Sequence, residues 1–261
     1  MIMIDKLCYT SRLRYISPSS KALFAVATLF ICIADRSFIT SALVLCVMSY
    51  LTVCKGQIAA SRYVRLMCIP LVFLFFSTLA LIVNFSSVPM DAFAISLGKV
   101  YLTGSYDTLC QAARLILTAF AGVSCLYFLS LSTTITDLLG VLQKLRMPSL
   151  ITELMLLTYR FLFILLDLGD ALSTAQQSRL GNRNVRSSYR SFGSLVSVLF
   201  INAFKKSSFL YDAMESRCYD GKLRVLKESY PIQKKHLFLI FLFELFLIFL
   251  SLLLRHLKLH Y

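Results

Sequence analysis

Apolar residues in this chain gather into long unbroken runs instead of alternating with polar ones, and the runs are the length of membrane crossings. Residues 66–85 carry no charge, 111–132 carry only Arg114 near one end, and 237–254 carry only Glu244. Each is close to the roughly 20 residues that a helix needs to cross the hydrocarbon layer. An earlier run over 22–54 is too long for one crossing, and Asp35 and Arg36 divide it into 22–34 and 37–54, which predicts a tight helical hairpin. The first half is short for a span, so its helix is predicted to begin near Pro18, a residue suited to a first helical turn. Lys21 is then expected to snorkel to the interface. The pattern predicts five spans, with 86–108 (Pro89, Gly98, Gly104) as a polar external loop.

Between the fourth and fifth runs the pattern changes to helical stripes. Residues 134–146 place Ile135, Leu138, Leu139, Leu142 and Leu145 at spacings of three and four, which predicts an amphipathic helix at the interface, ended by Met147-Pro148-Ser149. Residues 149–180 are apolar nearly all round as far as Leu166 and less so afterwards, so this helix is expected to run out of the hydrocarbon and stop at Gly181. A third helix over 189–218 carries Phe192, Leu195, Val196, Leu199, Ala203, Leu210, Ala213 and Met214 on one stripe, predicted to lie along another apolar surface. Three regions follow: 1–132 with four spans, 133–235 with the striped helices, and 236–261 with the last span and tail.

Composition places these elements in a membrane. The 261 residues are 58% hydrophobic and 15% charged, with a mean hydropathy of +0.75, far from the balance of a soluble enzyme. The net charge of +14 is unevenly spread: 22 of the 27 Lys and Arg lie in 1–21, 55–65 and 133–235, the segments that five spans put on one side. The positive-inside tendency makes that side the cytoplasm, with the C-terminus outside. Eight cysteines, mostly inside apolar runs and never two residues apart, signal neither a disulfide framework nor a zinc knuckle. The first twenty residues lack the pattern of a cleaved signal and are expected to stay in the mature protein.

One motif occurs twice. Ala175-Gln-Gln-Ser178-Arg179 and Ala213-Met214-Glu215-Ser216-Arg217 share an A-x-x-S-R pattern 38 residues apart, each soon followed by glycine, at Gly181 and Gly221. Each arginine complements the dipole of a helix end, worth about 0.3–1 kcal/mol. The pair also reads as two equivalent arginine knobs for two equivalent pockets, as a dimeric partner provides.

With these motifs the chain resembles the transmembrane (T) components of energy-coupling-factor transporters, specifically the CbiQ type associated with cobalt uptake. The resemblance covers most of the sequence: Ile4-Asp5 through Pro18 and Lys21 (ID-x6-RLRYISPSSK), Met147-Pro148-Ser149 with TELMLLTYRFLFILLD after it, AQQSRLG, and above all DAMESRCYDG. It implies an all-α polytopic membrane protein with about five transmembrane helices, whose long cytoplasmic coupling helices dock on two ABC-type ATPase subunits (CbiO-like). Each coupling helix in the family ends in an Ala-Arg-Gly-like triplet whose Arg enters a groove of one ATPase. By position Ser178-Arg179-Leu180 and Ser216-Arg217-Cys218 carry those roles, supported by Ala175, Ala213, Met214 and Glu215. Both triplets depart from the pattern, with Ser first and Leu or Cys last, and both arginines are kept. The resemblance further implies a substrate-binding membrane subunit (CbiM-like), a small accessory membrane protein (CbiN-like), a bacterial or archaeal cell membrane, and a link to cobalamin biosynthesis. It leaves metal recognition to the substrate-binding partner, so no metal site and no cofactor are expected in this chain.

Other chemistries find little in the sequence. No G-x-x-x-x-G-K-[ST] loop occurs, the Gly-Lys pairs being Gly98-Lys99-Val100 and Gly221-Lys222-Leu223, so ATP hydrolysis is expected in another chain. Neither H-E-x-x-H nor G-x-S-x-G is present, and nothing indicates an enzyme. Glu244, costly as a charge at mid-bilayer, reads as an ion site or as a neutral contact facing the bundle, with Arg114 as a partner if the helices pack suitably. His256 and His260 stand at i, i+4 and make a weak metal pair. The basic 179–190 stretch (Arg179, Arg183, Arg186, Arg190) suits anionic lipid headgroups, and no nucleic-acid module accompanies the charge. A T component for nickel or a vitamin, and a self-sufficient permease or channel, are the alternative readings.

Overall fold

Helix ends fall where charge and proline interrupt the apolar runs. The computed structural model describes residues 8–9, 11–82, 84–86, 93–96, 101–104, 106–221 and 234–256. After a 3-10 turn at Arg12–Tyr15 come α1 (Pro18–Asp35), α2 (Phe38–Tyr50, continued by a π turn over Leu51–Lys55), α3 (Ala60–Ile82), α4 (Tyr106–Ser132), α5 (Ile135–Lys144), α6 (Ser149–Ser178), α7 (Val185–Glu215) and α8 (Lys234–His256). Pro18 is the first residue of α1, and Arg36 closes it in the left-handed region at φ 48°. The connection between α3 and α4 is more ordered than a plain loop. It holds three short antiparallel strands, Asn84–Ser86, Phe93–Ser96 and Tyr101–Gly104, the last lying between the other two. Backbone pairing satisfies polar groups there without a helix. The Ile4-Asp5 motif, Pro89, the Gly98-Lys99 pair, Lys222 and His260 lie outside the described residues.

Two units organise the chain, Ile2–Leu138 with Ser229–Tyr261, and Leu139–Glu228. In the first, the interior is built from small and hydroxyl-bearing side chains: Ala25, Thr28, Cys32, Thr40, Ser41, Ala121, Ser124 and Cys125 are all buried, beside Val44, Met48 and Leu247. Many of the large apolar side chains point outward, with Phe30, Phe73, Phe76, Phe238 and Phe241 each about two-thirds exposed or more. That inversion is the pattern of a bundle solvated by lipid, where small residues let backbones approach and hydroxyls bond locally. Phe24 meets Phe128 and Phe243 edge to face, both at 5.7 Å between centroids, joining α1, α4 and α8.

Proline inside α3 is compensated from a neighbour. Pro70 lacks an N–H, so the carbonyl of Leu66 four residues earlier loses its helical donor. Tyr127 of α4 donates its hydroxyl to that oxygen at 3.1 Å. In hydrocarbon no water is available for the task.

Polar side chains also bind α8 to α1. Thr28 bonds Glu244 Oε1 at 2.7 Å, and Ser251 donates to Asp35 Oδ1 at 2.6 Å. The two pairs are one heptad apart on both helices and in the same direction, so α1 and α8 run parallel. The Thr28 hydroxyl stands 2.7 Å from the Phe24 carbonyl as well as from Glu244. Glu244 therefore reads as a bundle-facing contact whose partner is Thr28; Arg114, half-exposed in α4, does not bond it. Lys21 does not snorkel. It is 4% exposed, and its ammonium donates to the carbonyls of Leu13 at 3.0 Å and Ser132 at 2.6 Å, because the last carbonyls of α4 offer a buried cation a better partner than the interface does.

Among the described residues six helices are long and apolar enough to cross a membrane: Pro18–Asp35, Phe38–Lys55, Ala60–Thr78, Cys110–Ser132, Ser149–Ser178 and Lys234–Leu254. The sixth candidate relative to the sequence expectation is Ser149–Ser178, whose first half is apolar nearly all round. Chain direction in the first unit decides its count. The end of α4 meets the start of α1 through Lys21, and α8 starts at the same end because it parallels α1. The segment between α4 and α8 thus leaves and returns on one face, which a single crossing by α6 would forbid.

This packing has two measurable consequences. An impermeant thiol reagent is expected to reach single cysteines placed at Gln57 and at Asn182 from one side of the membrane, and one at Arg36 only from the other; labelling of the Asn182 position from the Arg36 side counts α6 as a crossing. Replacing Tyr127 by Phe should destabilise the bundle by about 1–3 kcal/mol by orphaning the Leu66 carbonyl. Thermal unfolding of Pro70→Ala, Tyr127→Phe and the double variant checks it, the Tyr127→Phe loss being smaller where Pro70→Ala restores the helical donor.

Candidate functional site: two arginine-bearing helix ends

Helices α6 and α7 form an antiparallel hairpin. Gly169 lies against Leu199, Gln176 donates its side-chain amide to the Ser191 carbonyl at 2.9 Å, and Tyr219 beyond α7 reaches back to Glu153 at the start of α6. Leu195, Leu199, Ala203, Leu210 and Met214 of the expected stripe are half-buried. Phe192, Val196 and Ala213, expected on the same stripe, are exposed, together with Tyr189, Phe200 and Phe204.

The repeated motif folds into the same turn twice. At the end of α6, Leu180 N–H bonds the Gln177 carbonyl at 3.0 Å and Gly181 N–H bonds the Gln176 carbonyl at 2.8 Å. At the end of α7, Cys218 N–H bonds Glu215 at 2.9 Å and Tyr219 N–H bonds Met214 at 3.1 Å. These are the paired reverse bonds of a Schellman turn, which satisfies carbonyls a helix end leaves open. Every position corresponds at an offset of 38. The serine before each arginine bonds back into its own helix, Ser178 to Thr174 and Ser216 to Ala213, both at 3.0 Å. Ala175, Glu215 and both arginines are exposed.

Leu180 at φ 58° and Cys218 at φ 57° occupy the left-handed position that such a turn requires. Glycine is the residue that takes this conformation without strain, so the position is defined by backbone conformation. The sequence expectation that Gly181 stops α6 is corrected by one residue. Leu180 makes the left-handed step, and Gly181 is needed for room, since a Cβ there would stand 2.7 Å from Ser191 Oγ and 2.8 Å from the Gln176 carbonyl. A third turn of the same kind ends α5, where Arg146 itself takes the left-handed place at φ 64°. Its arginine is therefore not equivalent to the other two, which precede that place by one residue.

The hairpin keeps the arginines apart. Arg179 lies where α6 turns into α7 and Arg217 at the far end of α7, whose 31 residues span roughly 46 Å at 1.5 Å each. The surface holds two sites of one construction. Behind Arg179, Ser187 and Ser191 both donate to the Gly181 carbonyl, at 2.7 and 2.9 Å. Behind Arg217, Tyr219 donates to Glu153 Oε2 at 2.9 Å. Donating to that carboxylate holds the phenol's proton and pushes Tyr219 above its usual range, so the bond persists through neutral pH and is lost as pH rises past the phenol's titration. Glu153 and Tyr219 escaped the sequence reading as a pair, and nothing periodic links positions 66 residues apart.

Comparison with known proteins agrees with this architecture. Residues 10–228 match the family model CbiQ, described as cobalt transport protein. The chain is similar to an uncharacterized protein of Methanocaldococcus jannaschii, 31% identical over 95% of this chain and 92% of that one. It is similar to a putative fused cobalt transport protein CbiMQ of Methanocorpusculum labreanum, 31% identical over 92% of this chain and 40% of the relative. It is also similar to the cobalt transport protein CbiQ of Salmonella typhimurium, 27% identical over 85% of this chain and 98% of that one. A multi-pass, all-α membrane protein of energy-coupling-factor type is thereby defined. The chain belongs to the CbiQ cobalt transport protein family.

Relief of the left-handed residues is directly measurable. Leu180→Gly and Cys218→Gly are each expected to stabilise the chain by up to about 1 kcal/mol, and Leu180→Val to destabilise it by a similar amount, in thermal or denaturant unfolding.

Proposed function

We propose that this chain is the membrane coupling subunit of an ATP-driven cobalt importer. Arg179 and Arg217 each dock one ABC-type ATPase subunit, and a separate membrane subunit binds the metal. The carrying observation is the identity of the two turns: the same bonds, the same left-handed residue position and the same arginine recur 38 residues apart at opposite ends of one helix of the hairpin. A partner made of two like subunits presents two like grooves, and a planar, permanently charged guanidinium suits a carboxylate or carbonyl lining each. ATP-driven closing and opening of the pair would shift the two turns differently in its two states, the difference that coupling requires.

Family membership supports the cobalt assignment, and the fused relative's name joins CbiM and CbiQ in one protein, which supports a CbiM-like neighbour for this chain. A CbiN-like accessory protein completes the assembly. A five-crossing count with 22 of 27 basic residues in the segments of one side supports a cytoplasmic N-terminus and hairpin, on the side where ATP is found. Hydrolysis belongs to the ATPase subunits, because this sequence has no phosphate-cradling loop.

Affinity purification of the tagged chain from native membranes tests the reading. Wild type should bring down an ABC-type ATPase, Arg179→Glu and Arg217→Glu should each weaken its retention, and the double reversal should abolish it. Retention unchanged in the double reversal would sink the docking role, and cobalt uptake into vesicles holding this chain alone would favour a permease.

A further inference from the structure

The two arginine turns are alike in their own bonds and differ in what stands behind them. Arg179's turn is held by the helix that follows it: Ser187 and Ser191 of α7 grip the Gly181 carbonyl, and Gln176 grips the Ser191 carbonyl. Arg217's turn is tied across the hairpin to the first turns of α6. Tyr219, two residues after Arg217, is half-buried and donates to Glu153 Oε2 at 2.9 Å. Glu153 is 7% exposed, next to Thr152 at 2%, and Thr152 in turn receives the Gln143 side-chain amide at 3.0 Å. The anchor is therefore seated in packed structure, and the α5 end is bonded to the same turn of α6.

Tyr219 is also the residue whose N–H closes the Schellman turn on Met214. One residue thus sets the turn from inside through its backbone and from outside through its side chain. A hydrogen bond to a charged, buried acceptor is among the stronger neutral-donor bonds, and a lost one leaves the carboxylate without that donor.

We propose that Glu153, acting through Tyr219, is the positioning residue of the Arg217 coupling end, a strut that makes the direction of Arg217 depend on the start of α6. The inference rests on the docking role of the arginines given above. Neither residue touches the ATPase; their effect passes through Arg217. The strut gives the two ends different inputs: Arg179 follows the start of α7, and Arg217 follows the start of α6. An ATPase pair closing on both ends then pulls on two different parts of the chain.

The test is a set of variant cycles read by retention of the ATPase that accompanies the wild-type chain. In an Arg179→Glu background, where docking depends on Arg217 alone, Tyr219→Phe and Glu153→Ala are each expected to weaken retention about tenfold. Glu153→Gln, which keeps an acceptor oxygen, should weaken it less than about threefold. In an Arg217→Glu background none of the three should weaken it further. Equal losses in both backgrounds would mean general damage to the hairpin, and no loss in the Arg179→Glu background would mean the bond is idle; either overturns the strut alone. A wild-type chain that retains no ATPase overturns the docking role and the strut with it.

Discussion

Parallel docking of the last helix on the first is the constraint from which the rest of the architecture follows. Thr28 with Glu244 and Asp35 with Ser251, one heptad apart, fix the direction of α8, and Lys21 on the Ser132 carbonyl fixes which end of α4 lies beside the start of α1. Together they require the whole stretch between α4 and α8 to depart from and return to one face. A single crossing by the long apolar helix Ser149–Ser178, with no return, is incompatible with that requirement. Without that constraint, length and composition alone count it as a span.

Lipid explains the style of the packing. A bilayer gives little gain for hiding large apolar side chains inside, so many phenylalanines face out while alanine, serine, threonine and cysteine make up much of the interior around Phe24 and Phe128. Backbone groups are the expensive items in hydrocarbon, and the Tyr127 bond to the carbonyl freed by Pro70 shows one being satisfied across helices. In the hairpin of α6 and α7 the polar bonds tie helix ends to neighbouring turns instead.

The two arginine turns show how an exposed side chain is set by backbone geometry. A Schellman turn stops a helix abruptly and leaves the residue before the left-handed position exposed at its tip. Here that residue is arginine twice. Leucine and cysteine in the left-handed place are strained relative to glycine, yet the reverse bonds are intact at both ends. Loss of glycine therefore alters the strain of the turn and not its form, which is why the departure from the family's triplet leaves the arginines equivalently presented.

Sequence alone determined the main helices and those of their ends that a local break marks: Pro18, Asp35-Arg36 and Met147-Pro148-Ser149 act on the nearest few residues, whereas the strands between α3 and α4 carry no such signal. It also determined the arginine pair, because a motif repeated at a fixed offset survives without any knowledge of packing. Tertiary structure decided what each polar residue in an apolar run does. Lys21 caps α4 instead of reaching the interface, Glu244 meets Thr28 instead of Arg114, and Glu153 meets Tyr219. These partners lie 111, 216 and 66 positions apart. Local propensity carries no record of such distances, and a hydrogen bond leaves no periodicity in the chain, so only the packed helices could choose among the partners the sequence allowed.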